Sequence, residues 1–104
     1  MKRYNSGLIG LALVAAAAGN AVAQAYPART IRIIVPYPAG GGADFVARVY
    51  ARSLAESLGQ QVVVDNRGGA NGNVGAEVAA KSPPDGYTLL LTSSTNLTIN
   101  PHLY

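Results

Sequence analysis

Beyond an apolar opening, the chain alternates short β-branched runs with stretches of helical periodicity. In the opening, Met1-Lys2-Arg3 supplies positive charge, Leu8 to Ala18 is apolar and uncharged, and Ala21-Val22-Ala23 is a small-x-small cleavage pattern. Residues 1–23 therefore read as a signal peptide removed before Gln24. The apolar run is shorter than the roughly 20 residues that span a bilayer, and Gly19 and Asn20 end it, which argues against an anchor. After a short lead-in containing Pro27, Thr30-Ile31-Arg32-Ile33-Ile34-Val35 has the nearly continuous hydrophobicity of a strand covered on both faces. Pro36 and Pro38 stop it, since neither can donate to a ladder. From Asp44 onward Val46, Val49, Tyr50, Leu54 and Leu58 recur at helical spacing, with Arg48, Arg52 and Glu56 on the other face. Gly59 closes that helix.

The same unit then repeats. Gln61-Val62-Val63-Val64-Asp65 predicts a second strand, Asn66 to Gly72 a polar glycine-rich loop, and Val74 to Lys81 a shorter helix whose alanines suit close packing on a sheet. Asn73 stands where an N-cap belongs. Ser82-Pro83-Pro84-Asp85-Gly86 is a breaker and turn, Tyr87 to Thr92 a third strand, and Ser93-Ser94-Thr95-Asn96 a hydroxyl- and amide-rich loop. Strand, helix, strand, helix, strand is the βαβαβ rhythm of a three-layer parallel α/β sheet with right-handed crossovers. In such sheets ligands lie outside the carboxyl ends of the strands, near a topological switch point.

Charge and cysteine content narrow the classes. The net charge is +3, but removal of Lys2 and Arg3 with the leader reduces eight basic residues to six against five acidic ones, a net of +1. The remaining cations are scattered over separate elements, which argues against a nucleic-acid surface. With no cysteine there is neither a disulfide framework nor a thiolate metal site.

The candidate chemistry lies in the loops that follow the strands. Between the first strand and its helix stands Tyr37-Pro38-Ala39-Gly40-Gly41-Gly42-Ala43-Asp44. Backbone N–H groups and the positive end of the helix dipole converge at such a junction and attract anions, although the same glycines also serve a plain flexible turn. The spacing matches neither G-x-G-x-x-G nor the P-loop. Asp44 favours the helix dipole, and it can also accept from loop N–H groups, water or a ligand donor while keeping a ligand carboxylate at a distance. Ser93, Ser94 and Thr95 can offer hydroxyls to an oxygen-rich ligand. Arg67 reads as a solvated or loop-bracing charge. A nucleophilic serine lacks partners, because His102 is the sole histidine and no G-x-S-x-G elbow exists. The sequence therefore predicts no enzyme, no metal site and no cofactor.

Tyr26-Pro27, Ile31 to Val35 with Pro36-Tyr37-Pro38-Ala39-Gly40-Gly41-Gly42-Ala43-Asp44, Leu58 to Arg67, Gly72-Asn73-Val74-Gly75-Ala76, Pro83 to Leu89 and Asn100 to Tyr104 occur in an order that resembles one family. It is the Bug, or TctC, extracytoplasmic solute receptors of tripartite tricarboxylate transporters. The resemblance implies a periplasmic-binding-protein (type II-like) fold of two α/β domains that close on a small carboxylated solute and deliver it to membrane permease subunits. It further implies ligand contacts from Tyr37, Pro38, Ala39, Gly40, Gly41, Gly42 and Asp44, and from Ser93, Ser94 and Thr95 in the matching third loop. Family members are much longer, so residues 24–104 are expected to be an incomplete N-terminal lobe of a truncated receptor. Two other readings stand beside it: an exported α/β enzyme domain that holds phosphate on its glycine-rich loop, and a non-functional remnant.

Overall fold

The computed structural model describes residues 25–103. The expected signal peptide lies outside the described residues. Among them, no helix is long and apolar enough to cross a membrane.

The elements run β1 (Ile31–Val35), α1 (Gly42–Leu58), β2 (Val62–Asn66), a 3₁₀ turn (Ala70–Gly72), α2 (Asn73–Ala80), β3 (Thr88–Leu90), α3 (Ser94–Thr98) and α4 (Asn100–Leu103). The three strands form one parallel sheet in the order β2-β1-β3. Ile31 faces Val62 and Val35 faces Asn66 on one side of β1, while Arg32 faces Thr88 and Ile34 faces Leu90 on the other. This is an open, helix-flanked sheet in which β1 is central, as its nearly continuous apolar character favours. The direction of strand addition reverses between β2 and β3, which places the switch point at the carboxyl ends of β1 and β3.

The alternation of side chains along β1 serves both faces. Ile33 and Val35 form the buried core with Ala47 and Ala51 of α1, flanked by Ala43, Leu54, Val62, Val64 and Leu91. Ile34 is fully buried, and α2 packs on β1 and β3. One expectation about α1 needs correcting. Its inward stripe is Ala43, Ala47, Ala51 and Leu54, whereas Val46, Val49, Tyr50 and Leu58 are exposed. The small alanines allow the helix backbone to approach the sheet closely, and that contact wins over the larger apolar side chains one step round the helix. Tyr50 and Leu54 instead flank a cleft of about 250 Å³ with Ile33 and Leu89 to Leu91.

Several boundaries also differ from expectation, β2 and α2 by a single residue. Helix α1 begins at Gly42 rather than at Asp44, because the glycines already belong to its first turn. Strand β3 is limited to Thr88–Leu90, and Ser94 to Thr98 form a helical turn rather than a loop. Asn73 is not an N-cap. Gly72 takes that position and Asn73 is already helical, its side chain turned toward Asn100.

At the opposite end of the sheet the segment before β1 is fastened to the turn before β3. The Tyr26 hydroxyl donates to the Gly86 carbonyl at 2.6 Å, and the Ala28 N–H donates to the Tyr87 hydroxyl at 2.8 Å. Arg29 pairs with Asp85 at 2.7 Å and lies 4.1 Å above the centre of the Tyr87 ring. This clasp leaves the carboxyl ends of the strands unobstructed.

Candidate functional site

The first loop leaves β1 at Pro36 and enters α1 through the glycine triplet. Gly40 has φ +92°, a left-handed conformation that turns its N–H back toward α1. There it donates to Asp44 Oδ2 at 3.0 Å. Arg48 Nε reaches the same oxygen at 3.1 Å from the next turn of the helix. Asn66, the last residue of β2, donates from Nδ2 to Asp44 Oδ1 at 3.1 Å and to the Tyr37 carbonyl at 3.2 Å. The Asp44 carboxylate is thus the internal anion of this loop, and it ties the first loop to the second strand.

That arrangement decides which donors remain. Gly40 is occupied, whereas the N–H groups of Gly41, Gly42 and Ala43 meet no acceptor among the described residues. They stand in the first turn of a 17-residue helix, where the unpaired donors and the dipole both favour negative charge. Pro38 and Ala39 form the exposed crest of the turn.

The Gly40 N–H, followed by the Arg48 hydrogen bond, holds the Asp44 carboxyl below its ordinary range. Folding therefore favours the ionised form. The resulting stability is complete above the unfolded value of about 3.9 and is lost as the pH falls through the lower folded value. We expect acid titration to release the first loop with Asp44, and the Gly40 amide resonance to move with that protonation. In Asp44→Asn, the same resonance should show no transition below about pH 4.

The third loop meets the first at the switch point. Tyr37 sends its hydroxyl across to within 2.7 Å of Ser93 Oγ and 3.0 Å of Asn96 Oδ1. Thr92 Oγ1 donates to the same Asn96 oxygen. The Ser93 hydroxyl, ahead of smaller contributions from Thr92 and the Ser93 backbone, holds the Tyr37 phenol below its usual pKa. Ser94 and Thr95 lie in the single turn of α3 and make no side-chain hydrogen bond to the first loop; the Ser94 carbonyl accepts from Thr98 Oγ1 at 2.9 Å.

The second loop is held beneath both. The Arg67 N–H donates to the Val35 carbonyl at 2.8 Å, which continues the sheet ladder by one bond. Arg67 Nε pairs with Asp65 at 3.0 Å, a bracing contact on a half-exposed side chain. The Asn71 carbonyl accepts from Asn96 Nδ2 at 2.9 Å and from Asn100 Nδ2 at 3.0 Å. Asn100 Nδ2 also donates to Asn73 Oδ1 at 2.8 Å. Asn96 and Asn100 are buried, and no buried side-chain nitrogen or oxygen of the described residues lacks a partner.

The structure thus brings Tyr37, Gly41, Gly42, Asp44 and Ser93 to one end of the sheet, together with Asn66, Asn71, Asn96 and Asn100, which the sequence alone does not single out. Their signal is present only in type. Asparagine next to glycine in a loop reads as turn chemistry, and nothing in spacing shows that residues 66, 71, 96 and 100 share a knot. Among the described residues there is no group of three or more His, Cys, Asp or Glu side chains that could hold a metal ion.

Comparison with known proteins shows the family and the fold. Residues 46–104 match the family described as "Tripartite tricarboxylate transporter family receptor". The chain is 60% identical over 73 residues to Protein BugT of Bordetella pertussis, covering 70% of this chain and 22% of BugT. A solved structure described as a periplasmic transporter superimposes with a TM-score of 0.71 at 45% identity, over 74% of this chain and 26% of its own. A protein of R. palustris solved with adipate gives a TM-score of 0.61 at 45% identity, over 62% of this chain and 22% of its own. The chain therefore spans about a quarter of the length of these relatives.

Proposed function

Since this chain belongs to the tripartite tricarboxylate transporter receptor family, we propose that it captures a small carboxylated solute in the periplasm through the N-terminal turn of α1. Residues 1–23 are its export signal, and residues 24–104 form part of the N-terminal α/β lobe of a receptor that passes its solute to membrane permease subunits. The family is one of solute receptors rather than catalysts, and the relative solved with adipate provides a carboxylate precedent.

The observation that carries this reading is the contrast between Gly40 and its neighbours. Asp44 satisfies Gly40 from inside the fold, while the N–H groups of Gly41, Gly42 and Ala43 meet no acceptor among the described residues at the positive end of a long helix. A carboxylate there gains charge-assisted hydrogen bonds to the backbone without needing a cationic side chain. Because Asp44 already carries negative charge into the loop, the solute carboxylate sits on the solvent side of these amides. Tyr37 and the third loop then orient the rest of the solute, and water is excluded once the receptor's other wall closes.

Gly41→Asp tests the assignment cleanly. Gly41 has φ −84°, and a Cβ there would approach nothing nearer than the Pro38 carbonyl at 3.8 Å, so the backbone tolerates the side chain. The added carboxylate would fill or repel the anion seat. We expect dicarboxylate affinity, followed through backbone amide shifts, to fall by about tenfold or more, the equivalent of one charge-assisted contact of roughly 1.5 kcal/mol. Unchanged affinity with a native-like spectrum would remove the seat from these amides.

A further inference from the structure

We infer that Ser93 Oγ, with its proton turned inward to Tyr37, presents lone pairs to the solute and selects carboxylates bearing a hydroxyl or ammonium donor. This selection deepens the receptor reading and rests on it. Donors and acceptors around Asn96 fix where the protons lie. Asn96 Nδ2 faces the Asn71 carbonyl at 2.9 Å, and a carbonyl can only accept. The amide orientation is thereby determined, because the reversed amide would set two oxygens against each other. Asn96 Oδ1 must then be the acceptor for its remaining neighbours, Thr92 Oγ1 and the Tyr37 hydroxyl.

Once the Tyr37 proton points at Asn96 Oδ1, it is unavailable to Ser93. The 2.7 Å contact between the two hydroxyls requires a proton, and only Ser93 can supply it. The serine proton therefore turns inward, and its oxygen is left with accepting capacity alone. That capacity is not spent on its own helix: Ser93 occupies the N-cap of α3 yet makes no side-chain capping bond. Ser93 is solvent-exposed, whereas Asn96, which sets the direction of the chain of hydrogen bonds, is buried.

A ligand carboxylate placed against Ser93 would meet an acceptor, and turning the serine proton outward would break its bond to Tyr37. A hydroxyl or ammonium placed there donates without disturbing anything. Asn96 is thus a positioning residue that acts through Tyr37, and Ser93 is the group that touches the solute. The glycine-loop amides hold the carboxylate, and the third loop distinguishes a substituted acid from a plain one.

Succinate, malate and aspartate provide the probes; malate is succinate with one hydroxyl and carries the same charge. Backbone amide shifts of the full chain would be followed on titration with each. Malate should bind about fivefold more tightly than succinate, the worth of one neutral hydrogen bond, and aspartate, whose ammonium makes a charge-assisted one, at least as tightly as malate. In Ser93→Ala the ratio should fall to about one, and Ser93→Thr should retain it. In Tyr37→Phe the serine proton is freed to turn outward, so the preference should vanish or favour succinate. Failure of all three acids to move the Gly41 to Ala43 amides overturns both the receptor reading and this inference. Equal binding of all three leaves the carboxylate seat standing and overturns the inference alone, as does a wild-type ratio in a folded Tyr37→Phe protein. Ser93 lies on the surface, so Ser93→Ala still discriminates even if the Tyr37 variant does not fold, and a wild-type ratio in it overturns the inference.

Discussion

Gly72→Ala is expected to destabilise the fold by about 3 kcal/mol and to open the loop cluster at the same time. Two penalties coincide there. Gly72 has φ +91°, where an alanine pays about 1–2 kcal/mol for crowding its own carbonyl. Its new Cβ would also stand 2.5 Å from Asn96 Nδ2 and 2.6 Å from Asn96 Oδ1. The side chain that must move is the one holding Tyr37, Thr92 and the Asn71 carbonyl. Its displacement leaves buried polar atoms unpaired, which adds to a packing cost of about 1–3 kcal/mol. Chemical denaturation measures the stability change, and loss of dispersion among the amide resonances of the three loops reports the opening. A midpoint unchanged from the native protein would mean that this contact is not tight in solution.

Gly75→Ala is the second. A Cβ at Gly75 would lie 2.7 Å from Cα and Cβ of Pro36 and 2.8 Å from the Arg67 carbonyl. These obstacles are the starts of the first and second loops, and neither is the end of a flexible side chain. Alanine gains about 1 kcal/mol in helix propensity. The forced retreat of α2 from the sheet costs about 3 kcal/mol, at the upper end of overpacking effects, so a net loss of about 2 kcal/mol is expected. Gly42→Ala is the control, since nothing lies within 4 Å of its Cβ position, and its midpoint should stay within about 0.5 kcal/mol of the native value. If Gly75→Ala and Gly42→Ala denature alike, the close approach of α2 carries no weight.

These glycines mark the division between what the sequence displays and what it conceals. The β-branched run Ile31 to Val35 announces a central strand because, Arg32 apart, it is apolar throughout, and the glycine triplet after it marks a helix entry on a parallel sheet. The family resemblance follows from motifs in order, and the match over residues 46–104 agrees with it. The inward face of α1 is less legible, since Val46, Val49 and Tyr50 share the helical period with Ala43, Ala47 and Ala51. Hydrophobicity ranks the larger residues first, whereas close approach to the sheet selects the alanines.

The site shows the same division in finer detail. Backbone chemistry at Gly41 and Gly42 can be anticipated from the strand-to-helix junction. Capture of the Gly40 N–H by Asp44 cannot be singled out, because a carboxylate in a first turn has several stabilising partners available. The helical turn of Ser94 to Thr98 is hidden because serine, threonine and asparagine compete with the helical backbone for hydrogen bonds. It forms here with Asn96 engaged by Asn71 and Tyr37, partners 25 and 59 residues distant in the chain.

That separation bears on when the mouth of the lobe becomes rigid. Asn96 bonds to Tyr37 and Asn71, and Asn100 to Asn71 and Asn73, each partner lying 25 residues or more before the asparagine it meets. A polypeptide is made N-terminus first, so these partners exist before the amides that fasten them. Until Asn96 and Asn100 have been made, the Tyr37 hydroxyl and the Asn71 carbonyl lack the amides that hold them, so the mouth of the lobe is fastened late in synthesis.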